Sequence, residues 1–141
     1  MAVSYVGAGT YTAGTGASTP PIPAGAVAGD VMVLLVETAN EAVANNATLV
    51  SAGWTAFASS PQGTGTAAGT AATRLTSYWK RHSGSESNPA LGDAGNHTGG
   101  IVMVFRGCVA SGSPIDADAG SVAASASTSV SCPTITTTGA D

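Results

Sequence analysis

Apolar side chains along this chain recur at every second position or in short unbroken runs, bounded by Gly, Pro, Ser and Asn clusters. That is the signature of short β-strands rather than of helices. Val3 to Val6 is a first strand candidate, followed by the Gly/Thr-rich stretch Gly7 to Thr19. Pro20, Pro21 and Pro23, with Gly25 after them, fix φ and remove backbone donors, which predicts a stiff loop outside any ladder. Gly29-Asp30 makes a turn into Val31-Met32-Val33-Leu34-Leu35-Val36, apolar at both parities and so expected to be buried on both faces. Glu37 to Val43 is the one helix-compatible stretch, and Asn45-Asn46 stops it early.

Leu49 to Phe57, centred on Gly53-Trp54, reads as the next block, and Ser59 to Thr73 as an exposed loop. The clearest alternation follows: Leu75, Ser77 and Trp79 point one way, Arg74, Thr76, Tyr78 and Lys80 the other. Because Trp79 shares its face with Leu75, that face is expected to pack the core, with Trp54, Trp79 and Phe105 as anchors. An aromatic sugar platform of Trp54, Tyr78 and Trp79 is the alternative. A polar connection, Arg81 to Gly100, leads to Ile101-Val102-Met103-Val104-Phe105, and Thr128, Val130 and Cys132 share one face of a last strand. Six to eight strands without βαβ alternation predict one all-β domain over residues 1–141. Its architecture would be an antiparallel β-sandwich, jelly-roll-like, with long Gly/Ser/Thr-rich loops. Residues 1–19 could extend from it as an arm onto a neighbouring subunit.

Composition narrows the function. Gly, Ala, Ser and Thr make up more than half of the 141 residues, charged residues only 9 % and apolar ones 43 %, so the chain is expected to be ordered rather than disordered. Four basic residues and a net charge of −4 leave little with which to neutralise phosphates, which argues against nucleic-acid binding. The longest apolar run is far too short to span a bilayer as a helix, and Met1 to Tyr5 shows no secretory signal pattern, so synthesis in a cytosol is expected. Cys108 and Cys132 are expected to be free thiols that pack as small hydrophobes.

No constellation of catalytic residues emerges, and no cofactor is implied. His82, His97, Glu86 and Asp93 match no metal-ligand spacing and sit among Gly and Ser, which favours solvated loop residues over a metal site. No Gly-x-Ser-x-Gly elbow or phosphate-cradling Gly-Lys-Ser/Thr occurs. Asp116 and Asp118, two apart, would share a face in a strand and could bind Ca²⁺ or serve a glycosidase; a solvated edge that resists strand pairing is the plainer reading.

Several segments taken in order carry a resemblance: Pro23-Ala24-Gly25 to Gly29-Asp30, Ala52-Gly53-Trp54-Thr55, Arg74 to Arg81, Gly84-Ser85-Glu86, Val104-Phe105-Arg106-Gly107 and Ser113-Pro114-Ile115-Asp116. Together, over residues 3–138, the chain resembles small β-rich virion structural proteins of tailed bacteriophages. The resemblance implies a role without catalysis, most simply a capsid decoration or cement protein. Many copies would contact the major capsid protein or other virion proteins. A tail-fibre, spike or baseplate module that binds a host-surface glycan is the alternative. Contact residues would then be sought at Pro20, Pro21, Pro23, Tyr78, Arg81, Asp116 and Asp118. Related chains are expected to continue past the Thr-rich run with another apolar strand, so that strand would be missing here or supplied by a neighbour.

Far-UV circular dichroism is expected to show a β-dominated spectrum with less than about a quarter helix, well under the share of an average domain.

Overall fold

A computed structural model describes residues 2–39, 41–63, 73–93, 96–122 and 131–138. Among the described residues seven strands form one antiparallel sheet: β1 (Ser4–Ala8), β2 (Thr12–Gly14), β3 (Val31–Thr38), β4 (Thr55–Ala56), β5 (Gln62–Gly63), β6 (Arg74–Arg81) and β7 (Thr98–Arg106), with one short helix, α1 (Asn46–Ser51). Strand order is β1-β7-β3-β6-β4, with β2 added to β7 and β5 to β6. The all-β, antiparallel expectation holds, and the strand count lies within the expected range.

The central strand β3 is paired along all eight residues on both sides, Leu34 lying between Tyr78 of β6 and Val102 of β7. Residues directly opposite in a ladder share a face, so the registers sort the sheet into two. On the first face Met32, Leu34, Val36, Tyr78, Val102 and Val104 are fully buried. Loops and the helix cover them: Val43, Leu49, Trp54 and Leu91 complete the core, with Val6, Ile22 and Ala26 at its margin. Gly100 of β7 makes room for this cover, since a β-carbon there would stand 2.7 Å from Leu91 Cδ1. On the second face Val33, Leu35, Ile101, Met103 and Phe105 are only half-buried.

Four local expectations are corrected. Trp79 does not anchor the core; it lies half-buried on the second face, as does Phe105, while Trp54, 3 % exposed, is a true core residue. The face of β6 that packs inward is the one with Thr76, Tyr78 and the Lys80 stem, because Tyr78 lies opposite Leu34 in the ladder. Glu37 to Val43 forms no helix, since β3 runs through Thr38. The helix comes after Asn45, and its end is a Schellman motif: Trp54 N donates to Leu49 O and Gly53 N to Val50 O, with Gly53 at φ +90. Finally, Gly7 to Thr19 is no free arm, because β1 and β2 both pair with β7 and Gly9 N donates to Val102 O between them. The backbone groups an arm would offer a neighbour on that side are used within the chain.

Gln62-Gly63 in the expected 59–73 loop pairs with Leu75 and Arg74; residues 64–72 lie outside the described residues. So do Thr128 and Val130 of the last expected strand, whereas Cys132 is exposed and outside any strand.

Trp54→Ala is expected to cost about 3–5 kcal/mol in urea denaturation, as for other large buried aromatics. Trp79→Ala should cost less than half of that because its ring buries less area, and Tyr78→Phe about 1 kcal/mol for the lost bond to Asn46.

Candidate interaction surface

Asp30 ends the Pro-rich loop and opens β3. Its carboxylate is closed off from solvent and receives Arg106 in a bidentate pair, Nε to Oδ1 at 2.8 Å and Nη2 to Oδ2 at 2.7 Å, while Val27 N donates to Oδ2 at 3.0 Å. Arg106 Nη2 also donates to Gly25 O, and Asp30 O accepts from His82 N at the end of β6. The Arg106 guanidinium, helped by Val27 N, holds the Asp30 carboxyl below its ordinary value of 3.8 against the opposing effect of burial. Two of the segments that carry the resemblance, Pro23-Ala24-Gly25 to Gly29-Asp30 and Val104-Phe105-Arg106-Gly107, therefore meet in one structural joint.

A second joint gathers three more. Gly53 leaves its α-hydrogen side against the Lys80 stem, Thr55 lies opposite Trp79, and the Lys80 ammonium pairs with Glu86. Burial would raise the Glu86 carboxyl, but Lys80 and Ser83 hold it below its ordinary value of 4.5. Beside this joint runs a groove of about 410 Å³ between α1 and residues 85–90, lined by Thr48, Trp54, Lys80, Glu86 and Asn88 among others. Its charged groups neutralise each other, and Asn88 Oδ1 already accepts from Ile22 N.

The residues singled out from the sequence serve mostly within the chain. Pro20 is fully buried, and Pro21 and Pro23 are half-buried, Pro21 against Gly9 and Pro23 against Gly7; this loop is a cover of the core rather than an exposed docking element. Tyr78 is 1 % exposed and donates to Asn46 Oδ1 at 2.7 Å, so it forms no platform, and burial pushes its phenol up. Arg81 donates to Gly112 O, Asp118 accepts from Ser59 N, and Asp116 accepts from Thr138 N and Oγ1. His82 is buried with Nδ1 accepting from Gly84 N, and His97 pairs with Glu37. Cys108 is half-buried and Cys132 exposed, so the thiols do not both pack as core hydrophobes. Among the described residues no three His, Cys, Asp or Glu side chains cluster as metal ligands, and no helix is long and apolar enough to cross a membrane.

The second sheet face, expected from the sequence to be buried, is only half covered. Arg81 and Gln62 share it with Trp79 and Leu75 by register, Gln62 lying opposite Leu75. Arg81 holds Gly112, and Gly120 sits against the Gln62 side chain. Residues 112–120 thus strap the β6 side of this face, pinned at Ser59 by Asp118, whose carboxyl the bonds from Ser59 hold low. Toward β7 and β1 the apolar row continues through Val33, Met103 and Phe105 to Tyr5, whose ring is 5.7 Å from that of Phe105. Two strands apolar at both parities were the sequence signal for it, since a surface strand would alternate.

Asp30, Glu86 and Asp118 all sit below their ordinary values, so the stability they contribute is complete above those values and is lost as pH falls below them and through the lowered values of the folded state. Urea melts are expected to weaken from about pH 5 to pH 3, and Asp30→Asn should flatten that dependence while lowering stability at neutral pH.

Comparison of the chain with models of protein families, with curated proteins and with solved structures finds no match.

Proposed function

We propose that this chain is a non-enzymatic structural protein of a tailed-phage virion, a head decoration or cement protein present in many copies and docked on the major capsid protein. The observation that carries this reading is the half-open apolar second face of the sheet, Val33, Leu35, Ile101 and Met103 flanked by Phe105 and Tyr5. A contiguous apolar patch of this kind, in a protein with only 9 % charged residues, favours contact through burial rather than through charge. The ordered motifs that resemble virion proteins support it from the sequence side. Each motif residue with a side-chain bond described above serves the scaffold, as expected of a protein that acts through its shape.

The half-exposed Trp79, beside Ser77 and Arg81 on the same face, favours a second reading, a tail-fibre or spike module holding a host glycan against an indole ring.

Purified chain added to heads that lack it should bind in a saturable, many-per-particle fashion seen by cryo-electron microscopy. The double substitution Ile101→Thr, Met103→Thr, which keeps strand preference, should weaken binding by about tenfold or more, or roughly 1.4 kcal/mol upward. Binding to tails or to host glycan instead, lost on Trp79→Ala, would favour the second reading; no binding to any virion part would reject both.

A further inference from the structure

The two edges of the sheet are treated differently. At one, β4 and β5 are two residues each, Pro61 stands beside Gln62, and the 112–120 strap is pinned across them through Asp118 and Gly120. This edge is blunted in the ways natural sheets use to prevent strand addition. At the other, β1 is the terminal strand, paired with β7 on one side, and among the described residues nothing pairs with its other side. Residues 2–5 are all exposed, Val3 and Tyr5 each by 60 %.

Edge strands are usually guarded by a charge or a proline. Here none of residues 2–19 is charged or proline, and the first charged side chain of the whole chain is Asp30. The chain carries a net charge of −4, and this edge is where two copies can approach without bringing like-charged side chains of residues 2–19 together. The bulge between Tyr5 and Gly7 turns the strand away beyond it, which confines any added ladder to the stretch around Ser4.

We propose that β1 is a self-association edge, on which a second copy of this chain adds its own β1 antiparallel about a two-fold axis near Ser4. Val3 and Tyr5 of both copies are buried at the seam, and the Tyr5–Phe105 pair of one copy meets that of the other. One open edge and one blunted edge make the assembly close as a dimer rather than grow into a filament. The ladder is short, so the dissociation constant is expected on the order of 10–100 µM, as for small interfaces. The proposal does not rest on head docking, which centres on Val33, Leu35, Ile101 and Met103 and reaches this edge only at Tyr5.

Sedimentation equilibrium of the full chain over this concentration range should show a monomer–dimer equilibrium without larger species. Val3→Lys with Tyr5→Lys should abolish it while leaving the circular dichroism spectrum and the thermal midpoint close to the parent. Because lysines could perturb β1 itself, a second variant reads the geometry directly. With Cys108→Ser and Cys132→Ser, a nitroxide at Ser4→Cys should give a dipolar distance near the two-fold axis of under about 20 Å, a few strand spacings. A chain that stays monomeric throughout, dimers indifferent to both lysines, or a much longer spin–spin distance would each overturn the proposal.

Discussion

Asp30 is the point at which the three long strands are brought into register. Its backbone oxygen takes the His82 amide just past the end of β6, its carboxylate takes Arg106 at the end of β7, and it immediately precedes β3 between them. A one-residue slip of either neighbour would turn every side chain of that strand to the other face. A buried carboxylate tolerates such a slip badly, because losing Arg106 and Val27 N would leave it unpaired away from water. The same group ties down the Pro-rich loop through Val27 N and, by way of Arg106, through Gly25 O. Cover and sheet are thus fastened by one residue.

From that register the two faces acquire different fates. The first is closed by elements with little intrinsic structure of their own: proline-rich loop, six-residue helix and the chain around Leu91. Their order is tertiary in origin, since a helix this short is marginal in isolation. Leu49, Trp54 and the Tyr78–Asn46 bond hold it to the sheet. The second face receives only the strap of residues 112–120 along β6, fastened by Arg81 and Asp118. A sheet with two apolar faces and one complete cover has a surface to spend on contacts, which is why docking through this face is the function proposed.

The polar residues fit such a role. Lys80 with Glu86, Arg106 with Asp30 and His97 with Glu37 pair at home. Asp116 and Asp118, which two-residue spacing places together in an extended strand, hold different partners, Thr138 and Ser59. Each fastens irregular chain.

Period-two alternation, unbroken apolar runs and scarce helix-forming stretches determined the all-β class, the positions of β3, β6 and β7, and the turn at Gly29-Asp30, because these depend on local spacing and backbone preference. Alternation in β6 separated Leu75, Ser77 and Trp79 from Thr76, Tyr78 and Lys80, yet which set turned inward was decided by the register with β3, which no local pattern encodes. The helix lies at Asn46–Ser51, past the Asn45-Asn46 pair read as a stop and running into the block that starts at Leu49; Gly53 was its one local sign, and the burial of Leu49 with Trp54 settled the matter. Gly7 to Thr19 looked free because Gly and Thr alone bury little, and only the unpaired side of β7 gave it a place. The second face was visible in the sequence as strands apolar at both parities. That it stays half open is a property of the tertiary structure, since it depends on how far a distant strap of chain reaches across the sheet.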